Sequence, residues 1–355
     1  MDEFKQSELP GGTLRMLDAS LNRAAEGLRV LEDVSRMVLN DTSLTHALKK
    51  MRHDLDKSPV LAREKLLFWR DSQNDIGQSV SVENTLCHKD ITSLVAANAQ
   101  RAQQALRTIE ELARLGNSGI QSKTIECMRF NLYTLEKEIT SRLVRADKRK
   151  LIKGLYVILD SSLLGGRSHL EMASMVLEAG VKIIQLREKN MPSGKMLDLA
   201  CSLNEMCISH QAILIINDYL DIALASNASG IHLGQKDIPL PVARKHLPFG
   251  TLIGISVDSP EQAVKAEQDG ADYVAPQAVF ETSSKNCRAI GLEALIAIRQ
   301  AVTIPVVAIG GINIDNIDRV IKAGVDAAAV ISSVTFSPQP VKTAREMNRR
   351  FYMAD

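Results

Sequence analysis

The chain has 355 residues, with 43 Lys and Arg against 42 Asp and Glu, so it is too long for one ordinary core and carries no global charge to attract nucleic acid or an anionic membrane. No run approaches the roughly 20 apolar residues that span a bilayer, and the start MDEFKQSELPGG has no apolar signal-peptide core, so a cytoplasmic protein is expected. Five cysteines without CxxC spacing (Cys87, Cys127, Cys201, Cys207 and Cys287) exclude a disulfide framework or a zinc site as the organising principle.

After a flexible start over residues 1–12, apolar residues recur every three or four positions from Thr13, as in Leu14, Leu17, Leu21, Ala24, Leu28 and Leu31. That is the helical period, and it predicts an all-α domain over residues 13–143. The segment repeats itself. NRAAEGLRVLEDVSR from Asn22 returns as RAQQALRTIEELAR from Arg101, and Met51, Arg52 and Leu55 return as Met128, Arg129 and Leu132, 77 or 78 residues later. A duplicated helical hairpin accounts for this. Charges sit inside the periodic segments: Arg23, Glu26, Arg29, Glu32 and Asp33 in one copy, Arg101, Arg107, Glu110 and Glu111 in the other. They read either as ion pairs between helices or as a phosphate site, with Asp71 or Asp75 of the intervening loop WRDSQNDIGQS as metal ligand or proton acceptor.

A basic stretch over residues 144–153 is expected to link this half to a second domain, residues 154–355. There the pattern changes to short apolar runs alternating with amphipathic stretches: LYVILD, VKIIQLRE, AILIIND, GIHLG, TLIGIS, DYVAPQAVF, IPVVAIGG and DAAAVISS. Apolar strands alternating with helices imply a parallel sheet covered on both faces. Eight such units in about 200 residues predict an α/β fold of the closed (β/α)8 TIM-barrel type, with its active site at the C-terminal ends of the strands.

The polar residues collect at those ends. Gln185, Arg187 and Lys189 alternate along one side of the second strand and its extension, an anion site in outline. Asn217-Asp218 ends the third strand and Asp237 follows the fourth. Two carboxylates beside a basic pair suit Mg²⁺, although either alone reads as a helix cap. Gly310-Gly311 and Ile331-Ser332-Ser333 close the last two strands, where barrels hold phosphate on backbone N–H groups. Thr282-Ser283-Ser284-Lys285 reads either as a lid or as an ordinary loop, and His232, inside the fourth strand, as a packing or supporting residue rather than a catalytic base. No Ser-His-Asp or Cys-His set appears, so covalent catalysis is not indicated.

QLREK, ND, HLGQKD, GIS at Gly254–Ser256, TSSK, IGGI and ISS occur in the order and spacing of the thiamine phosphate synthase family, from about Gly154 to Arg345. The chain resembles that family, which condenses hydroxymethylpyrimidine pyrophosphate with thiazole phosphate. The resemblance implies Gln185, Leu186, Arg187, Glu188, Lys189, Asn217, Ser256 and Lys285 around the pyrimidine pyrophosphate, with Arg187, Lys189, Ser256 and Lys285 catalytic. It implies Thr282, Ser283, Ser284, Gly311, Ile331 and Ser332 around thiazole phosphate, and Asp218 and Asp237 on one Mg²⁺. The stretch Gln277–Glu281 departs from the family's GPxxPTxTK-like pattern. DASLNRAAEGLRVLEDVSR in turn resembles a helical domain fused to some of these enzymes, which implies phosphorylation of hydroxymethylpyrimidine phosphate with ATP, although no P-loop or kinase signature is present. Small-molecule substrates are the expected partners, with homo-oligomerisation left open. The competing readings are another phosphate-binding barrel, an isomerase or synthase, and a non-catalytic regulator that binds thiazole phosphate.

Overall fold

The computed structural model describes residues 9–56, 63–71, 88–115, 120–281 and 289–353. The chain divides into two compact units, Met1–Val144 and Arg145–Asp355.

The first unit is helical: α1 (Gly11–Asp33), α2 (Thr42–Asp56), α3 (Arg63–Trp69), α4 (Ile91–Ala113) and α5 (Ser122–Lys150). The wider π turn Val34–Val38 follows α1 directly. The α1–α2 and α4–α5 pairs are the two copies read from the sequence. Leu28, Leu31, Leu48 and Leu55 of one and Leu106, Ile109, Ile125 and Leu132 of the other share a single core. Helices α1 and α4 pack against each other along a stripe of small residues. A Cβ on Gly27 would fall 2.7 Å from the Asn98 carbonyl and 3.0 Å from the Ala102 Cβ, so glycine is what lets the backbones approach.

Each copy buries one glutamate among arginines. Glu32 takes Arg52 Nε at 3.1 Å and lies 3.5 Å from Arg29. Its repeat mate Glu110 takes Arg107 at 2.8 Å, Arg114 at 2.6 Å and Arg129 Nε at 3.1 Å. Of the interleaved charges, Arg29, Glu32, Asp33, Arg107, Glu110 and Glu111 are ion-paired, partly along their own helix and partly to Arg52 and Arg129 of the neighbouring one, as a buried carboxylate requires. Asp71 accepts from Arg15 through its backbone carbonyl, and Asp75 lies outside the described residues.

The basic stretch from Arg145 to Lys150 forms the last turns of α5, and its spacing serves the barrel unit. Arg145 is buried against Asp272 at 2.8 Å, with Arg244 on the other carboxylate oxygen at 2.6 Å, and Lys148 donates to the Gly250 carbonyl.

The second unit is the expected barrel. Its strands are β1 (Gly154–Leu159), β2 (Ile183–Leu186), β3 (Ile213–Asn217), β4 (Gly230–Leu233), β5 (Leu252–Val257), β6 (Tyr273–Pro276), β7 (Val307–Ile309) and β8 (Ala327–Val330). All neighbours pair in parallel in the order β6-β5-β4-β3-β2-β1-β8-β7. The Val274–Val306 bridge and the Val274 N–H on the Pro305 carbonyl join the two ends. Along each strand the side chains alternate. Leu155, Val157, Ile184, Leu186, Ile231, Leu233 and Ile253 face the helices, whereas Tyr156, Ile158, Ile183, Ile213, Ile215, Tyr273, Ala327 and Ala329 fill the interior. Among the described residues no helix is long and apolar enough to cross a membrane.

Candidate active site

The alternation that builds the barrel decides which side chains reach its mouth. A cavity of about 840 Å³ opens at the C-terminal ends of the strands, in the range of small-molecule sites. Gln185 shares the inward parity of Ile183, and Arg187 and Lys189 continue it beyond β2; all three line the cavity. Leu186 and Glu188 have the opposite parity and do not. Leu186 is buried in the outer core. Glu188 is buried beneath the loop after β1, where it accepts from the Ser161 N–H at 2.8 Å and hydroxyl at 2.9 Å and meets His169 Nε2 at 2.7 Å. His169 opens helix α6 (His169–Glu178). The QLREK block is thus split between a binding face and a structural clamp.

Arg187 pairs with Asp160, just past β1. Partial burial pushes the Asp160 carboxyl up, but the Ser162 hydroxyl and N–H and the Arg187 guanidinium outweigh it and hold the group below the usual range. Asp160 therefore stays ionised and fixes the arginine. Sequence reasoning passed over it, although an acidic residue at inward parity one step past a strand was the available signal.

Asn217 and Asp218 leave β3 at the cavity, and Asp237 returns to it from the loop after β4. Asp218 has φ of 64°, a left-handed conformation that Asp adopts more readily than most residues, and its N–H bonds the His232 carbonyl at 2.9 Å. Asp237 closes its own loop by accepting the Gly234 N–H at 2.6 Å. Burial and then the adjacent Asp237 raise the Asp218 carboxyl to about 6, against the pull of Arg187 and Lys189. Two carboxylates this close could hold a cation between them. Among the described residues no third acidic, His or Cys side chain joins them. That donor set fits Mg²⁺, which keeps waters and shares phosphate oxygens, better than a metal needing a full protein cage.

Across the cavity, Gly310 and Gly311 have φ of 94° and 64°. A side chain on Gly311 would fall 2.8 Å from the Phe280 Cβ, and one on Gly310 would overlap Ala278. Ile331, Ser332 and Ser333 line the same wall, and the buried Ser333 hydroxyl has no hydrogen-bond partner among the described residues. Thr335 ties this turn to the loop after β1 through the Leu163 carbonyl, 2.5 Å away.

The departing stretch Gln277–Glu281 runs beside β7. The Val279 and Phe280 N–H groups donate to the Ile309 and Gly310 carbonyls at 2.8 and 3.2 Å. Those two residues lie between the positions at which the family pattern carries proline, so the path needs neither proline to be made. Gln277 instead donates to Asp258 at 2.7 Å across the mouth. Thr282, Ser283, Ser284 and Lys285 lie outside the described residues.

His232 belongs to a polar network on the cavity floor, together with two tyrosines that the sequence reading did not single out. Gln185 Nε2 meets the Tyr156 hydroxyl at 2.7 Å and the two tyrosine hydroxyls lie 3.1 Å apart. His232 lies 3.1 Å from the Tyr273 hydroxyl through Nδ1 and 3.0 Å from Ser256 Oγ through Nε2.

Residues 155–334 match the family model described as thiamine monophosphate synthase, and residues 15–138 match the ThiD2 family. The thiamine-phosphate synthase of Thermosynechococcus vestitus is 35% identical over 338 residues, 95% of this chain and 94% of its own length. The chain belongs to the thiamine-phosphate synthase family. That of Nostoc sp. is 34% identical over 339 residues, 95% of this chain and 93% of its own length. A solved thiamine phosphate pyrophosphorylase from Pyrococcus furiosus superposes with a TM-score of 0.54 at 40% identity, covering 58% of this chain and 98% of that one. As a member of this family the chain is a transferase of thiamine biosynthesis, acting on small molecules.

Proposed function

We propose that the barrel condenses its substrates by ionisation: the C–O bond to pyrophosphate breaks first, and the thiazole nitrogen then captures the pyrimidine methylene cation. The observation that carries this reading is the arrangement of charge. Arg187, Lys189 and the Asp218–Asp237 pair converge on one side of the cavity, while the glycine turn and Ser332–Ser333 line the other. One side suits a metal-bridged leaving group and the other a phosphate monoester.

In this reading Arg187, held by Asp160, and Lys189 bind the pyrophosphate oxygens, Asn217 donates to them, and Asp218 and Asp237 hold Mg²⁺. Bound there, the metal would neutralise pyrophosphate charge as it develops. The electron pair of the broken bond leaves with pyrophosphate, and Arg187 and Lys189 stabilise it where it accumulates. Gly311, Ile331 and Ser332 hold thiazole phosphate so that the ring nitrogen faces the methylene carbon. Its lone pair forms the new C–N bond, and because that nitrogen carries no proton, no general base is required. By resemblance, Lys285 adds to the leaving-group side and Thr282, Ser283 and Ser284 to the thiazole side. The helical unit, in the same reading, phosphorylates hydroxymethylpyrimidine phosphate with ATP and supplies the barrel's substrate; its match to the ThiD2 family supports this.

The test is Mg²⁺-dependent formation of thiamine phosphate by the purified chain, repeated with pyrimidine monophosphate plus ATP. Asp218→Ala should lower kcat/KM by roughly a thousandfold, because the lost interaction is strongest in the transition state. Near-normal turnover in that variant would remove Asp218 from the metal site, and no product from monophosphate and ATP would leave the helices without the kinase role.

A further inference from the structure

Arg187 and Lys189 lie past the end of the sheet. The β1–β2 ladder ends at Leu159 and Leu186, and the Arg187 N–H on the Leu159 carbonyl at 2.9 Å is its last rung. Beyond it the two chains part, β1 into the turn Ser161–Leu163 and β2 toward the helix Ser193–Ser209, so no strand pairing among the described residues sets the direction of residues 187–189. Two carboxylates take over where the ladder stops. On the cavity side Asp160 reaches from the end of β1 to Arg187. On the helix side Glu188 reaches the other way, accepting the Ser161 N–H at 2.8 Å and the Ser161 hydroxyl at 2.9 Å.

The two contacts cross between the same neighbours, Asp160 and Ser161 on one strand end, Arg187 and Glu188 on the other. Each fixes what the other leaves free. Asp160 joins two side chains with rotatable bonds, whereas Glu188 grips a main-chain N–H and so locates the backbone that carries Asp160. Glu188 is itself buried and meets His169 Nε2 at 2.7 Å, and His169 opens a helix closed by the Ser168–Glu171 capping box. The carboxylate is thereby tied to a helix start rather than to another loop. Asp160 is held in turn by the Ser162 N–H at 3.1 Å and the Ser162 hydroxyl at 2.5 Å. The far side of the same loop has separate anchors, Thr335 on the Leu163 carbonyl and Arg167 on the Thr335 carbonyl, so release of Glu188 frees residues 160–162 and not the whole loop.

We propose that Glu188 is a positioning residue: through Ser161 and Asp160 it holds the Arg187 guanidinium where the pyrophosphate group of the substrate arrives, without touching the substrate itself. Its side chain has outward parity and lines no part of the cavity. The proposal rests on the reading above that Arg187 binds pyrophosphate. It explains why a buried acid stands between the two cations of an anion site, since that acid faces away from the cavity and is occupied by Ser161 and His169. An arginine stabilises a departing group best when it is already in place, because a misplacement of about 1 Å can cost a hundredfold.

The experiment measures kcat, the KM of each substrate and inhibition by inorganic pyrophosphate for the full chain and its variants. Glu188→Ala should lower kcat/KM for the pyrimidine pyrophosphate roughly thirtyfold and raise the pyrophosphate inhibition constant about tenfold, while KM for thiazole phosphate stays within about twofold. Glu188→Gln, which keeps an acceptor for the Ser161 N–H, should recover most of the loss. With Asp160→Ala already present, Glu188→Ala should cost less than about threefold, because both act on one arginine. Ser161→Ala, at an exposed position, removes only the hydroxyl contact and should raise the inhibition constant about threefold. Equal losses for both substrates, full additivity with Asp160→Ala, or an unchanged inhibition constant overturns the positioning role, and where Glu188→Ala gives no folded protein an unchanged constant in Ser161→Ala does so alone. The site reading survives any of these provided Arg187→Ala is strongly impaired. If Arg187→Ala binds pyrophosphate as the unaltered chain does, the site reading fails and the positioning role fails with it.

Discussion

Asp218 combines a left-handed backbone, burial beside Asp237 and a carboxyl raised to about 6. Its ordinary value is 3.8, so the folded state favours the protonated form. The stability this group contributes is complete below about 4 and is lost as pH rises through about 6. Near neutral pH the carboxylate pair is a liability that a bound cation relieves. Mg²⁺ should therefore raise the melting temperature at pH 7.5 by roughly 2–4 °C, the shift that about 1 kcal/mol produces in a unit of this size, and by progressively less toward pH 5. Calorimetry with Mg²⁺ against EDTA across that range measures it. A shift independent of pH, or one that persists in Asp218→Asn, would contradict the assignment.

Strand parity explains both what could be read in advance and what could not. Continuous β-branched runs between amphipathic stretches made the eight strands and their parallel order visible, because burial on two faces leaves little else that such runs can be. Arg187, Lys189, Asn217, Asp218 and Asp237 could be placed at the cavity in advance because polar residues at or just past the strand ends fall at the mouth of such a barrel. Leu186 and Glu188 were grouped with them as one block, whereas alternate residues of an extended chain face opposite ways, and Glu188 belongs to His169 and Ser161. Tyr156 and Tyr273 escaped notice because a tyrosine inside an apolar run looks like core; their meeting depends on β1 and β6 facing each other across the barrel. The glycine of β5 is the counterpart of that crossing. Gly254→Ala should displace the Tyr273 ring and cost roughly 1–3 kcal/mol by overpacking, measured by chemical denaturation, whereas alanine at Gly194, where a Cβ would meet nothing within 4 Å, should be nearly neutral. Equal effects at the two positions would mean that the packing at β5 is looser than described.

In the helical unit the duplication visible in the sequence is also a duplication of buried charge. Glu32 and Glu110 each hold two or more arginines, and removing either carboxylate leaves cations facing one another. Glu110→Ala should destabilise this unit by roughly 3 kcal/mol, as expected for a broken buried pair, and Glu32→Ala, with fewer arginines to release, by less. Thermal unfolding of the two variants checks the order, and the reverse order would show that the arginine count does not set the cost. The copies have also diverged: Ser35, buried in the π turn, corresponds to Ala113, and His53 to Phe130.

The close crossing of α1 and α4 sets a helix face against its own repeat. Ala24 and Ala102 are repeat mates, both fully buried, and Gly27 abuts the second of them. A volume added at either alanine therefore presses on the other copy of the hairpin, so the two halves are tied to each other in size at this line while Ser35 and Ala113, or His53 and Phe130, are free to differ away from it.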